Sequence, residues 1–392
     1  MEPTFVSLFS GCGGFDLGFT EAGFRCLTAV DVEPAAARVH VKNFQASFLL
    51  HDLSSKTLPG LSVRPDVLIA GPPCQGFSTA GKREFDDPRN ELLRTAGELA
   101  LALKPKVFVL ENVRGVISGS HKQYWDRLKH TLKDKYEVEE LCCLGTEMGV
   151  PQIRKRMVLL AWERGREVRI EIQKLEAGDL RSALLGVENV PDHIPKFLPP
   201  NSKLLLIAKK IKQGQKLSNV RGGTNAIPTW EIPEVFGQVT NGEKRCLEAL
   251  RAARRRFRLR PFGDADPVGL ELISEVAGYD VSKEIASLLE KHYVRKMNGA
   301  LDLTHTFNGK FRRLHWDRPS LTVDTRFGSP RYFLHPEQHR GFTSREAARI
   351  QGFPDSFVFE GSDSERFRLI GNAVPPPLAK LIATFIRDAF LM

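Results

Sequence analysis

The sequence predicts an α/β protein built on a mostly parallel sheet, because short apolar segments alternate with helical patterns through the first 165 residues. The first apolar segment, residues 5–9, runs directly into a glycine turn at 10–14 and then into a helical pattern over 15–22. A strand, a glycine turn and a helix form the front half of a nucleotide-binding βαβ unit. The alternation stops at about Glu163, so we expect a second domain of less regular structure beyond it.

Length and composition favour a folded protein with a polyanionic partner. With 392 residues, 42% of them hydrophobic, the chain is long enough to bury a core and to form two domains. Residues 1–14 contain no basic stretch followed by an apolar one, and no apolar run approaches the roughly 20 residues that cross a bilayer, so we predict neither a secretory signal nor a membrane partner. The six cysteines form no C-x-x-C pair, which argues against a metal site or disulfides and favours a cytoplasmic setting. The net charge of +10 is typical of nucleic-acid binding.

Acidic residues follow the next two predicted strands. The second strand ends at Asp31, about 20 residues after the glycine turn, where a carboxylate accepts hydrogen bonds from two ribose hydroxyls. Glu33 competes for this role, but Asp31 is favoured because it is nearer the strand end, and Val32 would lie beside an adenine. Asp52 follows a possible third strand and could accept the adenine amino group. It could equally be a helix N-cap, because Leu53 and two serines come next.

A single thiol stands at the end of a buried strand. The apolar segment 67–70 breaks at Gly71-Pro72-Pro73 and presents Cys74 in a loop of small residues. Open α/β sheets place their chemistry at this edge, outside the carboxyl ends of the strands. A free cysteine is more often a buried structural residue, so the thiol by itself does not decide between the two interpretations. We interpret the polar segment 82–90 that follows as a mobile lid.

A carboxyl and a row of basic residues come next. The apolar strand 107–110 leads into Glu111, and a buried carboxyl is costly unless it is paired or protonated, which favours a functional role. The alternation of the following strand places Gln152, Arg154 and Arg156 on one face. That face is either a solvated edge or a cationic wall over a site, and the spacing does not choose between them.

The basic residues are concentrated in the irregular region. Residues 201–260 contain 14 Lys and Arg and 4 Glu, a surplus of ten that equals the net charge of the whole chain. A charge run is usually a solvated face, but this concentration, which includes Arg254, Arg255 and Arg256, predicts a surface for the phosphate backbone. Between about 265 and 308, two helical segments precede a hairpin signal at Asn298-Gly299, the outline of a winged helix. The alternative is two short amphipathic helices that pack on each other.

Taken in order, these segments resemble the DNA cytosine-5 methyltransferases. The motifs that carry the resemblance are FSGCGG, Asp31-Val32, Asp52-Leu53, PPCQGFS, ENV, Gln152-x-Arg154-x-Arg156, RPSLTV and GNAVPPPLA. The sequence departs from the common pattern at Ser10, where the family often has Ala, and at Asp31, where it often has Glu. The region from about 165 to 310 shares no pattern, as the variable target-recognition domain of that family does.

The resemblance implies a fold and a set of domains. It implies a Rossmann-like S-adenosylmethionine-dependent methyltransferase domain formed by residues 1–165 and 335–392, and a smaller, irregular target-recognition domain over 166–334. It also implies a monomer that acts on double-stranded DNA in the cytoplasm, associated with the nucleoid. By the same likeness, the enzyme protects host DNA in a restriction–modification system whose cognate restriction endonuclease acts separately.

The resemblance further implies a reaction. A methyl group passes from S-adenosylmethionine to C5 of a flipped-out cytosine, through a covalent bond between Cys74 and C6. Glu111 acts at N3 of the base, and Arg154 and Arg156 hold the base carbonyl oxygen and orient Glu111. The implied cofactor contacts are Phe9, Ser10, Gly11, Gly13, Gly14, Asp31, Val32, Asp52, Leu53, Pro72, Leu92, Asn372 and Val374.

Three other interpretations remain at this stage. The transfer-RNA-methylating branch of the same family shares the catalytic motifs, although the long basic region favours duplex DNA. A catalytically inactive DNA-binding scaffold would not need Cys74, Glu111 and the cofactor glycines. A nicotinamide oxidoreductase would normally carry the full G-x-G-x-x-G loop, which is missing here.

Overall fold

The computed structural model describes residues 2–60, 64–73, 87–260, 263 and 265–391. Cys74 and residues 82–86 of the predicted lid lie outside these ranges. The chain forms two compact units, of which unit 1 comprises Met1–His193, Asp317–Arg326 and Ser344–Met392, and unit 2 comprises Ile194–Trp316 and Phe327–Thr343. The division into a catalytic and a target-recognition domain remains a prediction about the roles of these parts.

The described residues form sixteen strands: β1 (Thr4–Leu8), β2 (Arg25–Asp31), β3 (Ser47–Leu50), β4 (Val67–Ala70), β5 (Val107–Val113), β6 (Tyr136–Leu144), β7 (Gln152–Ile153), β8 (Lys155–Glu163), β9 (Lys216–Ser218), β10 (Ala226–Ile227), β11 (Val294–Met297), β12 (Ala300–Leu303), β13 (Asn308–Lys310), β14 (Arg312–Arg313), β15 (Ser320–Leu321) and β16 (Phe333–Leu334). They also form thirteen α-helices: α1 (Gly14–Glu21), α2 (Pro34–Asn43), α3 (Leu92–Leu103), α4 (Lys122–Leu132), α5 (Leu180–Leu184), α6 (Lys203–Lys210), α7 (Pro233–Phe236), α8 (Asn241–Arg256), α9 (Leu270–Ala277), α10 (Ser282–Glu290), α11 (Ser344–Gln351), α12 (Asp363–Asn372) and α13 (Pro376–Ile386).

Unit 1 is organised around a seven-stranded sheet with the order β3-β2-β1-β4-β5-β8-β6. The first five strands of that order are parallel, and β8 is antiparallel to both of its neighbours. The order reverses between β1 and β4, which makes their carboxyl ends the topological switch point where such sheets bind ligands. The predicted α/β fold is confirmed.

Both faces of the central strands β1, β4, β5 and β8 are buried, which explains their nearly continuous apolar runs. In β4, Val67 and Ile69 face the core that contains α1 and α13, while Leu68 and Ala70 face the core that contains α3 and α4. All four side chains have no exposed surface.

The carboxyl-terminal helix completes the first of these cores. A Cβ atom added to Gly18 of α1 would lie 2.4 Å from Cβ of Ala379 in α13, so the two helices touch where neither has a bulky side chain. By length and composition the stretch Asp363–Leu391 could cross a membrane, but 67% of its apolar window is buried inside the protein. Its apolar character is therefore that of a core helix.

Unit 2 has its own core and a small three-stranded sheet, β10-β9-β13. The predicted pair of helices is present as α9 and α10, and the hairpin β11–β12 follows. Asn298 and Gly299 both have positive φ, 49° and 80°, as a two-residue hairpin turn requires. These elements are confirmed, and their action as a DNA-binding winged helix remains a prediction.

The structure corrects the interpretation of the arginine run. Arg254 is 5% exposed, and its Nη2 lies 2.6 Å from Oδ1 of Asp302 in β12. Asp302 also pairs with Arg295 of β11. The Arg254–Asp302 ion pair therefore holds the β11–β12 hairpin against α8. Arg255 and Arg256 are exposed. Arg254 is therefore a structural residue, because the helical period turns one position in the run toward the core.

Candidate active site

A cavity of about 300 Å³ opens at the switch point of the sheet in unit 1. Fourteen of the predicted site residues line it: Phe9, Ser10, Gly11, Asp31, Val32, Asp52, Leu53, Pro72, Leu92, Glu111, Arg154, Arg156, Asn372 and Val374. They come from the carboxyl-terminal parts of β1, β2, β4 and β5 and the segments that follow them, from the segment after β3, from the start of α3, from the start of β8 and the residue before it, and from the end of α12 and the segment before α13. The volume lies at the lower end of the range of small-molecule sites. Cys74 immediately follows Pro73, which also lines the cavity, but lies outside the described residues.

The glycine loop crosses one end of the cavity and is fixed by Asp31. The N–H of Gly11 donates to Oδ2 of Asp31 at 2.8 Å, and the N–H of Glu33 donates to Oδ1 at 2.9 Å. Burial raises the pKa of Asp31, although these backbone donors oppose the effect. Gly11 has a φ of +56°, a left-handed conformation that a glycine adopts without strain. Asp31 therefore shapes the loop as well as lining the cavity.

The other two loop glycines lie beside the cavity and pack against the protein interior. A Cβ on Gly13 would lie 2.5 Å from Cε2 of Phe44, and a Cβ on Gly14 would lie 2.3 Å from the carbonyl oxygen of Val374. The structure thus gives both glycines a packing role. Their direct contact with a cofactor remains a prediction.

The cavity lining includes both residues proposed to contact an adenine, Val32 and Asp52. Val32 is 62% exposed and lines the cavity, so its side chain is available to a flat apolar ligand. Asp52 caps a short 3-10 helix, since its Oδ1 accepts from the N–H of Ser54 at 2.9 Å. The N-cap alternative is therefore confirmed, and Asp52 lines the cavity as well.

Glu111 and Arg156 form an ion pair in the cavity wall. Nε of Arg156 lies 2.7 Å from Oε1 of Glu111, and the two side chains are only 12% and 10% exposed. Glu111 lies within β5 rather than at its end, opposite Val158 of β8. Burial raises the pKa of Glu111, and the positive charges of Arg156 and Arg154 oppose the rise. The carboxyl therefore keeps its proton to higher pH than an ordinary glutamate.

Arg154 joins the two carboxyl-terminal motifs to the sheet. Its guanidinium donates to the carbonyl oxygen of Val323 at 2.9 Å, and to those of Gly371 and Ala373 at 3.1 and 3.0 Å. Gln152 supports the same region, because its Oε1 accepts from the N–H of Val323 at 3.0 Å. The alternation predicted for Gln152, Arg154 and Arg156 is confirmed, and the face is not a solvated edge, since Arg154 and Arg156 line the cavity and Gln152 is buried behind it.

Asn112 connects β5 to the turn that precedes Cys74. Its Nδ2 donates to the carbonyl oxygen of Pro72 at 3.2 Å, and its Oδ1 accepts from the N–H of Val113 at 2.9 Å. Asn112 is 1% exposed, so these bonds form out of water. Sequence reasoning named this residue within a motif without a role, and the structure shows that it fixes the proline turn.

Five residues that the sequence did not assign to the site also line the cavity: Phe15, His51, Arg89, Val113 and Leu369. Phe15, Val113 and Leu369 have no signal that separates them from core residues of their helices and strands. Glu33 lines the cavity as well, and its carboxylate pairs with Arg368 of α12. That ion pair joins residues far apart in sequence, so no local pattern indicates it.

The strand order, the glycine loop and the acidic strand ends together define a Rossmann-like methyltransferase. The chain matches the C-5 cytosine-specific DNA methylase family over residues 3–388, and it belongs to this family. It is therefore a DNA cytosine-5 methyltransferase, as the sequence resemblance implied.

Individual relatives agree with this assignment. The chain is 31% identical to type II methyltransferase M1.HphI of Haemophilus parahaemolyticus over 402 residues, which cover 98% of this chain and 86% of that protein. It is 28% identical to type II methyltransferase M.HgiBI of Herpetosiphon aurantiacus, with 95% and 94% covered. Among solved structures, an E. coli prophage protein described as a DNA modification methyltransferase shares the fold, with a TM-score of 0.62, 24% identity and complete coverage of both chains.

Proposed function

We propose that this enzyme methylates C5 of a flipped-out cytosine in a specific double-stranded DNA sequence, and that it protects DNA in a restriction–modification system of the cytoplasm. The observation that carries the proposal is the convergence of the glycine loop, Asp31, Glu111 and Arg156 on one cavity at the switch point. The type II methyltransferases among its relatives support the restriction–modification role.

The residues of the cavity fit S-adenosylmethionine. Asp31 offers a carboxylate to the ribose hydroxyls, Val32 and Leu53 offer apolar contact to the adenine, and the bare backbone of Gly11 permits close approach to the methionine part. When bound there, the cofactor supplies an activated methyl group. Asn372 and Val374 would close the site from the carboxyl-terminal side.

The chain's own residues would make the cytosine reactive. C5 of cytosine is a poor nucleophile, and addition of the Cys74 thiolate to C6 moves the electron pair of the C5–C6 double bond toward C5. C5 would then accept the methyl group that the bound cofactor supplies, and the leaving group would keep the electrons of the broken bond. Loss of the C5 proton to a base re-forms the double bond and expels the thiolate. The thiol therefore splits one difficult step into easier ones.

Glu111 would act at N3 of the same ring. In its protonated form it donates to N3 and stabilises the charge that develops during thiolate addition. Arg156 holds the Glu111 carboxyl in place at 2.7 Å. We assign Arg156 and Arg154 to the base carbonyl oxygen, and Arg154 in addition to holding the carboxyl-terminal motifs.

DNA binding would use the exposed basic residues of unit 2. A flipped cytosine costs a few kcal/mol of stacking and pairing, which contacts elsewhere on the duplex must offset. The exposed Lys and Arg residues of the segment 201–260, which carries a surplus of ten positive charges, would provide such contacts with phosphate.

The deciding experiment traps the covalent step. A duplex that carries 5-fluorocytosine at the target position cannot lose a proton from C5, so the wild-type enzyme with S-adenosylmethionine should form an adduct that resists denaturation. Peptide mapping should place the adduct on Cys74, and Cys74→Ser should form none while still binding the cofactor. An adduct on another residue, or turnover by Cys74→Ser, would overturn the mechanism. Transfer RNA in the parallel assay tests the RNA-methylating alternative.

A further inference from the structure

Three polar side chains form a connected cluster behind the glycine loop. The hydroxyl of Ser10 donates to Oδ2 of Asp16, and Nε2 of His40 lies 3.5 Å from the same oxygen. Asp16 and His40 have no exposed surface. Ser10 lines the cavity, whereas Asp16 and His40 do not. The cluster therefore connects the cavity to the protein interior.

A buried carboxylate is costly unless it is paired, so Asp16 needs these two neighbours. Among the described residues, Oδ1 of Asp16 and both ring nitrogens of His40 have no hydrogen-bond partner. Asp16 also stands in the first turn of α1, where the helix dipole favours a negative charge. Its position thus depends on Ser10, on His40 and on the start of α1.

His40 is itself held firmly by α2 and β3. Its ring stacks on Phe44 with a centroid distance of 4.4 Å and packs against Phe48 at 5.1 Å. Gly13 leaves the space that this stack needs, since a Cβ there would meet the Phe44 ring. The imidazole is consequently a fixed point against which Asp16 is placed.

The glycine loop is therefore held from two sides by carboxylates. On the cavity side, Asp31 accepts from the N–H of Gly11 at 2.8 Å. On the interior side, Asp16 accepts from the side chain of Ser10. The N–H of Ser10 also donates to the carbonyl oxygen of Val30 at 3.0 Å, which ties the loop to the end of β2.

From this geometry we infer that Asp16 and His40 are positioning residues, which act through Ser10 to hold the glycine loop in the conformation that receives S-adenosylmethionine. The inference rests on the proposed function, because it names the ligand whose affinity they set. It assigns a role to two residues that touch neither the cavity nor the reacting atoms.

Titration calorimetry of the full-length protein with S-adenosylmethionine tests the inference. Ser10→Ala and Asp16→Asn should each raise the dissociation constant by about tenfold. The double variant should bind the cofactor no more weakly than Asp16→Asn alone, because both substitutions disrupt the same Ser10–Asp16 hydrogen bond. His40→Phe keeps the ring stack without the nitrogens and should weaken binding in the same direction. DNA affinity in the absence of cofactor should stay at the wild-type level. Additive losses, or wild-type affinity in folded Asp16→Asn, would overturn the inference.

Unit 1 offers a matched control in a second buried pair of the same chemistry. Oε1 of Glu346 in α11 lies 3.2 Å from Nε2 of His193, both side chains are nearly inaccessible, and neither residue lines the cavity. Glu346→Gln should lower the melting temperature while leaving cofactor affinity unchanged. A loss of affinity equal to that of Asp16→Asn would show general loosening and contradict the positioning role. Failure of the wild-type protein to bind S-adenosylmethionine would instead contradict the proposed function.

Discussion

At the scale of single residues, burial and charge act on Glu111 in opposite directions. Removal from water favours its neutral form, and the guanidinium of Arg156 favours its charged form. Burial has the larger effect, so its pKa is raised. A group that must donate a proton to a ring nitrogen is useful only while protonated, which makes this shift relevant to the chemistry.

Replacement of Glu111 by Gln tests this assignment. The amide can still donate a hydrogen bond but cannot transfer a proton, so we expect kcat to fall by about 100-fold or more with little change in DNA affinity. In the wild type, kcat should fall as pH rises through the raised pKa of Glu111, and that decline should be missing in the variant. Single-turnover methylation measured across pH checks both expectations, and an unchanged rate would remove Glu111 from the site.

The same shift has a consequence for stability. Since the pKa of Glu111 is higher in the folded state than its usual value of 4.5, its contribution to stability is fully present below that value and declines as pH rises through the folded-state pKa. The free energy of unfolding of the wild type should therefore fall relative to that of Glu111→Gln as pH rises.

At the scale of elements, the contact between α1 and α13 brings the carboxyl-terminal segment to the glycine loop. The helices approach closely because Gly18 has no side chain, and an added Cβ would also lie 2.6 Å from the backbone nitrogen of Lys380. The same approach places Asn372 and Val374, which lie just before α13, at the cavity. The second half of the site thus depends on one helix packing against another.

Gly18→Ala should therefore destabilise the protein by about 1–3 kcal/mol, because backbone atoms cannot yield to the added methyl group. Gly97→Ala in α3 is the matched control, since its nearest neighbour, at 2.7 Å, is the flexible end of Leu128. That substitution should be close to neutral, as the gain in helix propensity offsets the small adjustment. Denaturant unfolding of both variants checks the difference. Equal losses would show that the helix contact is not specially close.

At the scale of the whole molecule, the chain separates a nearly charge-balanced sheet unit from a strongly basic region. The run Arg254, Arg255 and Arg256 is uniform in sequence, yet its members differ in burial. Arg254 is buried against Asp302, whereas its two neighbours are exposed at the end of α8. Only the exposed pair is available to phosphate.

Two pairs of substitutions separate these roles. Arg255→Ala with Arg256→Ala should preserve the fold and reduce the slope of log affinity for DNA against log salt by about two, one for each lost phosphate contact. Arg169→Ala with Lys174→Ala, at exposed positions of unit 1, should leave that slope unchanged. Arg254→Ala should lose about 3–5 kcal/mol of stability because it leaves Asp302 buried with less compensation. If the Arg255→Ala, Arg256→Ala variant kept the wild-type salt slope, these two arginines would not contact phosphate.

The cavity residues differ in how well the sequence predicts their roles. Asp31 and Glu111 were identifiable because each follows an apolar run toward the carboxyl-terminal part of a parallel strand, and parallel strands bring these parts to one edge. Gly13 and Gly14 show the limit, because a glycine motif does not say whether the missing side chain makes room for a ligand or for Phe44 and Val374.

The sequence by itself determined the α/β class, the positions of the apolar strands along the chain and the motifs that identify the family. These depend on local periodicity and on residue types at fixed spacing. The tertiary structure decided which residues meet. Arg154 reaches the carbonyl oxygen of Gly371 across 217 positions, and Asp16 in α1 lies 3.5 Å from His40 in α2. Such contacts arise from how helices dock on the sheet, which depends on packing across the whole core and leaves no signature in any one stretch of the chain.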